Sequence, residues 1–323
     1  MGDPSGIGPE VLVKALGQPL DCPHVVIGHR DVWARACQVA GTDLSLAPAD
    51  GPARRPGAVP FLQVDPPVAG WAVGRASAEA GRTAAAWLRA AVQLALSGLA
   101  DAVVFAPLNK QALRLAGFGV RDEYELVARL AGVAEHDEAN VIPHPAGSGL
   151  LWVARATSHV PLREVPSLLD EQRVLRAIQV AHRMARKGGN QQPRVGVAAL
   201  NPHAGEGGTL GDEEVRLLLP AIRKAQEEGL AVSGPYPADH IFRIARSGAL
   251  DAVVALYHDQ AQIATKLLGF DRGVSVGVGY PFVMTTPSHG TAFDLVGTGL
   301  ADPRPMRQAL ELAAALASAG IGR

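Results

Sequence analysis

Three histidines fall in separate segments built around small and turn-forming residues: Ser158-His159-Val160-Pro161, Asn201-Pro202-His203-Ala204-Gly205-Glu206-Gly207-Gly208 and Tyr257-His258-Asp259-Gln260. Neutral imidazole is a common ligand for divalent metals. Three such rings leave coordination positions open for a substrate oxygen, which marks a catalytic rather than a closed structural site. Asp259, next to His258, is the kind of carboxylate that orients a ligating ring. No HxxxH or HExxH spacing puts two of these histidines on one helix, so taken singly each is equally an ordinary polar residue. Their placement favours the metal. His203 and His258 each follow a short apolar run, Val195 to Leu200 and Ala252 to Leu256, and strand ends opening into loops are where α/β proteins keep their chemistry.

Those runs belong to a wider alternation. Val25 to Gly28, Ala102 to Phe105, Leu150 to Ala154 and Val274 to Val278 also read as strands, some buried in a parallel sheet. Between the runs, Ser77 to Leu99, Pro166 to Lys187 and Asp212 to Glu228 carry helical periodicity. The pattern predicts an α/β sheet with helices on both faces. With 323 residues, 48% of them hydrophobic, the chain can furnish two domains or one large α/β unit.

A net charge of −1 gives no electrostatic reason to expect nucleic acid or a membrane surface as partner. Two cysteines, Cys22 and Cys37, argue against a disulfide framework or a thiolate zinc cluster and for a reducing, cytoplasmic setting. No signal peptide is evident, and apolar stretches such as Ala84 to Leu99 are interrupted by Arg89 and Gln93 and too short to span a bilayer. The N-terminal Met1-Gly2-Asp3-Pro4-Ser5-Gly6-Ile7-Gly8-Pro9-Glu10 reads as a strand-to-helix turn, with Pro9 near the first helical position. No strand precedes it, which suggests a start several residues upstream. Its free backbone N–H groups suit an anion, although spacing alone is equally an ordinary tight turn.

Six segments, in order, resemble the motifs of the 4-hydroxythreonine-4-phosphate dehydrogenase (PdxA) family: Gly2 to Glu10, Ala106-Pro107-Leu108-Asn109-Lys110, Thr157 to Leu162, Asn201 to Gly208, Pro237-Ala238-Asp239 and Tyr257 to Gln260. A seventh, His289 to Pro303, is similar to the adenine-side loop of isocitrate and isopropylmalate dehydrogenases, and no GxGxxG fingerprint accompanies it. The resemblance implies a two-domain fold of isocitrate dehydrogenase type, with mostly parallel sheets and an active site in the interdomain cleft. The expected nucleotide-side domain is 1–130 with 275–323, and the expected metal, substrate and dimerisation domain is 131–274.

By the same resemblance, His159, His203 and His258 are metal ligands drawn from both subunits of a homodimer. Asp239 and Asp259 are supporting carboxylates with catalytic roles, and Lys266 is a catalytic, substrate-anchoring lysine. Gly205, Gly207, His289, Gly290, Thr291, Ala292, Asp294 and Asp302 are implied at the cofactor. The cofactors are NAD, preferred over NADP given Asp294 and Asp302, and one divalent metal: zinc first, with manganese, cobalt or magnesium as alternatives. The metal acidifies a secondary alcohol so that hydride passes to NAD, and it stabilises the enolate if a β-carboxylate then leaves as carbon dioxide.

Two places depart from the family pattern. Asp122-Glu123-Tyr124-Glu125 stands where the family has Gly-His-Thr-Glu, so Glu123 and Tyr124 replace a substrate-touching His-Thr pair. Ser275 and Met284 stand where phosphate-handling members carry Asn and Arg. Methionine offers phosphate nothing in place of a bidentate guanidinium. These changes lead to the expectation of a non-phosphorylated substrate, a carboxylated cis-dihydrodiol of terephthalate type. The alternatives are 4-phosphohydroxythreonine, with Arg121 or Arg272 supplying the missing charge, and a non-catalytic binder of NAD or a metabolite.

Overall fold

The computed structural model describes residues 1–49, 57–65, 70, 72–147, 149–269 and 272–320, and its chain divides into two compact units, Met1–His136 with Gly279–Arg323, and Asp137–Val278.

In the first unit α1 (Gly8–Leu16) leads to β1 (Val26–Gly28), α2 (Arg30–Ala40), β2 (Leu46–Pro48), β3 (Val59–Gln63) and α3 (Ala78–Leu96). After them come β4 (Ala102–Val104), α4 (Lys110–Leu115) and α5 (Glu123–Ala131). Strands β1, β3 and β2 form a parallel three-stranded sheet in that order. The apolar stripe of α1, with Val11, Leu12 and Ala15, packs with Trp33, Phe61 and Trp87 into one core cluster. Pro9 lies in the first turn of α1, where a missing N–H costs nothing. Ser77 caps α3 by accepting from Ala80 N at 3.1 Å, and Asp122 caps α5 by accepting from Glu125 N at 3.0 Å.

The second unit runs β5 (Asp137–Pro143), β6 (Leu150–Arg155), α6 (Val165–Leu168), α7 (Glu171–Lys187) and β7 (Val195–Ala198). It continues through α8 (Leu219–Glu227), β8 (Val232–Tyr236), α9 (Ala238–Arg246), β9 (Ala252–Ala255), α10 (His258–Gly269) and β10 (Val274–Val278). The strand order is β10-β5-β6-β9-β7-β8. Strands β6, β9, β7 and β8 are parallel neighbours, while β5 runs antiparallel to both β10 and β6. All four residues of β7 and all four of β9 are buried, as expected for strands covered on both faces. The chain returns to the first unit with β11 (Val283–Pro287), parallel to β4, and α11 (Arg304–Ser318). No helix among the described residues is long and apolar enough to cross a membrane.

The expected strands are present within one or two residues of their predicted ends. Two of the expected helices are not continuous. Asp170 breaks 166–187 by accepting from Arg173 N at 2.7 Å and starting α7 afresh, and a π-turn over Glu214–Leu218 precedes α8 in 212–228.

Candidate functional site

Parallel register explains how two of the histidines meet. Arg155 at the end of β6 pairs with Ala255 at the end of β9, and beyond them Ala156 N donates to Ala255 O and Thr157 N to Leu256 O. Thr157 Oγ1 also donates to Leu256 O at 2.7 Å. His159 lies two residues past Thr157, and His258 two past Leu256. Their ring centroids are 5.3 Å apart. His258 Nδ1 is 2.6 Å from Asp259 Oδ1, which leaves Nε2 as the ring's ligating nitrogen when Nδ1 carries the proton.

His203 and Asp239 follow the next two strands of the same run. Val197 of β7 pairs with Val254 of β9, and Ala198 with Tyr236 of β8. His203 sits five residues beyond β7, and Asp239 stands in the first turn of α9, three beyond β8. The carboxyl ends of β6, β9, β7 and β8 therefore deliver His159, His258, His203 and Asp239 to one edge of the sheet, where ligands of open α/β sheets bind.

The loop carrying His203 has its own construction. His203, Ala204, Gly205, Glu206 and Gly207 all have positive φ, between 42° and 75°, a left-handed turn of a kind that costs a non-glycine residue about 1–2 kcal/mol. Glu214, 2% exposed, holds it: Oε1 accepts from Leu200 N and Asn201 N, each at 2.8 Å, and Oε2 accepts from Asn201 Nδ2 at 2.9 Å. A Cβ on Gly205 would lie 2.7 Å from Glu214 Oε2 and 2.9 Å from Gly211 O, so that position admits only glycine. The turn leaves the His203 side chain 71% exposed, with Nδ1 2.9 Å from Glu206 Oε1. Among the described residues no group of three or more His, Cys, Asp or Glu side chains converges within one chain. His159 and His258 are brought together; His203 is not gathered with them.

In the first unit the 289–302 segment is strapped to the N-terminal turn. Ile7 N donates to Thr291 O at 3.0 Å, Asn109 Nδ2 to Thr291 Oγ1 at 3.2 Å and Gly297 N to Glu10 Oε1 at 2.6 Å. Lys14 Nζ reaches Gly299 O at 2.5 Å and Ala301 O at 2.9 Å. A Cβ on Gly6 would come within 2.8 Å of Thr291 Cβ, whereas one on Gly290 or Gly297 would meet nothing within 4 Å, so the latter two offer open backbone. Asp3 Oδ2, Ser5 Oγ and His289 Nε2 are buried here without a hydrogen-bond partner. Orphaned buried polar atoms fit a polar ligand at this turn. Ala292 has φ 39°, Asp294 is exposed, and Asp302 accepts from Arg304 Nη2 at 2.7 Å. Gly205 and Gly207 belong to the His203 loop of the other unit, and Gly205 is explained there by Glu214.

The proposed substrate positions fare unevenly. Lys266 is exposed on α10, on the helical face that carries His258, and Glu123 opens α5 half-buried. Tyr124 is 4% exposed in an apolar cluster with Phe105, Phe282 and Met284, and its main-chain oxygen accepts from Tyr280 Oη at 2.8 Å. Met284 is 0% exposed in that cluster. Ser275, 6% exposed, accepts from Asn140 Nδ2 at 2.8 Å. Glu214, Lys14, Asn140 and two of the partners of Asn140, Arg155 and Gln262, were not singled out by sequence reasoning; a charged residue ending an apolar run, as Arg155 ends β6, was the available signal.

At the level of fold alone, the isocitrate dehydrogenase of Methylococcus capsulatus is similar, with 14% identity, a TM-score of 0.51 and 99% of this chain and 84% of that one covered. The nearer resemblances are also dehydrogenases, and the chain is an oxidoreductase of that class. It belongs to the PdxA family: the family model for the pyridoxal phosphate biosynthetic protein PdxA matches residues 20–313. It is 40% identical to the 4-hydroxythreonine-4-phosphate dehydrogenase of Geobacter metallireducens over 98% of this chain and 94% of that one. It is also 40% identical to the D-threonate 4-phosphate dehydrogenase of Salmonella typhimurium, over 98% and 97%. A crystal structure of 4-hydroxythreonine-4-phosphate dehydrogenase from Klebsiella pneumoniae aligns with a TM-score of 0.84 at 38% identity, covering 98% of this chain and 96% of that one. The terephthalate 1,2-cis-dihydrodiol dehydrogenase of Burkholderia xenovorans is more distant, with 31% identity, a TM-score of 0.60 and 94% and 93% covered. The expectation of a terephthalate-type substrate is corrected accordingly, because relatives that act on phosphorylated acids are closer in both sequence and structure.

Proposed function

We propose that the protein oxidises, with NAD and a divalent metal, the secondary alcohol of a phosphorylated four-carbon hydroxy acid, 4-hydroxythreonine 4-phosphate or D-threonate 4-phosphate. The observation that carries this is the common sheet edge reached by His159, His258, His203 and Asp239 from four adjacent parallel strands. The donor set suits a borderline divalent cation such as zinc, with manganese or cobalt next. His159 and His258 would hold it from one subunit and His203 from a second copy, since the left-handed turn sends His203 outward. Bound there, the metal would lower the pKa of the substrate alcohol. Asp259 orients His258, Asp239 supports the same edge, and Lys266 on α10 offers a cation to an anionic group of the substrate. NAD would lie along His289–Asp302, whose open glycines allow close backbone approach. The alcohol lies β to a carboxylate in both substrates, so loss of carbon dioxide after oxidation is part of the proposal.

The test is NAD reduction by the metal-loaded protein with each phosphorylated acid and with a carboxylated cis-dihydrodiol, with released carbon dioxide measured in parallel. The expected kcat/KM for a phosphorylated acid is at or above about 10⁴ M⁻¹s⁻¹, within the ordinary enzyme range. Faster turnover of the dihydrodiol would overturn the substrate assignment, and tight NAD binding without turnover of any of the three would leave a binder rather than an enzyme.

A further inference from the structure

A buried ion pair lies beneath the face of α10 that carries His258 and Lys266. Arg155 ends β6 with its side chain 2% exposed, and its Nη2 is 2.6 Å from Glu138 Oε2. Its Nη1 donates to Asn140 Oδ1 at 2.5 Å, and Gln262 Nε2 donates to the same oxygen at 3.0 Å. Asn140 Nδ2 donates in turn to Ser275 Oγ at 2.8 Å. The group spans the adjacent strands β6, β5 and β10 and the helix packed on β5 and β6. A buried ion pair is weak evidence for stability, because desolvation offsets much of the attraction and an apolar pair could fill the space. What it supplies here is direction.

Arginine has donors and no acceptor, so Asn140 must turn its oxygen towards Arg155 and its amide nitrogen towards Ser275. Gln262 can then meet Asn140 Oδ1 only with its own Nε2, which leaves Gln262 Oε1 as an acceptor. Gln262 stands four residues after His258 and four before Lys266, on one helical face. We propose that Arg155 is a positioning residue: through Asn140 it fixes the Gln262 amide between His258 and Lys266, with the carbonyl oxygen presented to a hydroxyl or ammonium hydrogen of the substrate. The proposal rests on the assignment of His258 and Lys266 to the substrate site.

The experiment compares the paired variant Glu138→Gln/Arg155→Met, which removes both charges together, with Arg155→Lys, Asn140→Leu and the native protein. All are metal-loaded and assayed with the phosphorylated acid and NAD varied separately. The paired variant is expected to raise KM for the acid at least tenfold, with KM for NAD within twofold and the thermal midpoint within a few degrees. Arg155→Lys, still a donor, recovers most of the loss. Asn140→Leu leaves the ion pair in place and gives the same split, which decides the matter if the paired variant fails to fold. An acid KM within twofold of the native value, or acid and NAD constants rising together, overturns the proposal. Full activity in His258→Ala and Lys266→Ala would instead overturn the site assignment on which it rests.

Discussion

Asp3 lies in the N-terminal turn with no exposed surface, and Ser5 N donates to its Oδ1 at 2.8 Å. Burial pushes its carboxyl up from 3.8 to about 6, against the opposing hydrogen bond from Ser5 N. A folded-state pKa above the unfolded one means that the stabilisation is present below about 3.8 and lost as pH rises through about 6. A rise of that size is worth about 3 kcal/mol. Asp3→Asn keeps an acceptor for Ser5 N without a charge, so it is expected to raise the thermal midpoint at pH 8 by several degrees and to leave it unchanged at pH 4. A midpoint unchanged at both values would show that the buried charge is relieved in another way. Asp302 offers a test on the nucleotide side. Arg304 holds this carboxyl below its ordinary range, and the pairing occupies a guanidinium two residues beyond the 289–302 segment. Asp302→Ala releases Arg304 and is expected to raise the NADP/NAD ratio of kcat/KM at least tenfold, as measured by initial rates with each nucleotide; an unchanged ratio would place the adenosine ribose elsewhere. Residue types were legible in the sequence and their surroundings were not: nothing in the chain's pattern told that Met284 packs with Phe105, Tyr124 and Phe282.

Strand ends are what the sequence conveyed best at the level of elements. Runs such as Val195 to Ala198 and Ala252 to Ala255 are continuously apolar because parallel strands are covered on both faces, and the residues just after them fell where expected. The antiparallel β5 escaped notice because Asp137, Glu138 and Asn140 interrupt its apolar pattern, and those residues are polar for the sake of Arg176, Arg155 and Ser275. The left-handed turn after β7 was legible only as glycine content. Its hub, Glu214, lies in an amphipathic stretch that reads as ordinary helix surface. Gly205→Ala would add a Cβ 2.7 Å from Glu214 Oε2 at a φ of +75°. The expected result is loss of most bound metal and activity, with far-ultraviolet circular dichroism nearly native because the strain is local, at about 1–2 kcal/mol before the clash is counted. Native metal content in Gly205→Ala would mean that the turn does not present His203 to a metal.

For the whole molecule, one chain brings His159 and His258 within 5.3 Å of each other and leaves His203 71% exposed on a turn braced from beneath. In the proposed site, this strained and well-supported loop would be matched by the His159–His258 pair of a second copy related by two-fold symmetry. A shared site has a distinctive genetic arithmetic. His203→Ala and His258→Ala are each expected to be inactive alone, since every site then lacks one ligand. Mixed and allowed to exchange subunits, half the dimers become heterodimers. In each heterodimer one site collects both defects and the other collects neither, so about one quarter of native activity returns. Sites formed within a single chain would give no recovery at any mixing ratio. The readout is the NAD reduction rate after subunit exchange, with each variant's metal content measured before mixing. Recovery near a quarter identifies His203 as the ligand given across the interface, and its absence with dimers intact assigns all metal binding to one chain.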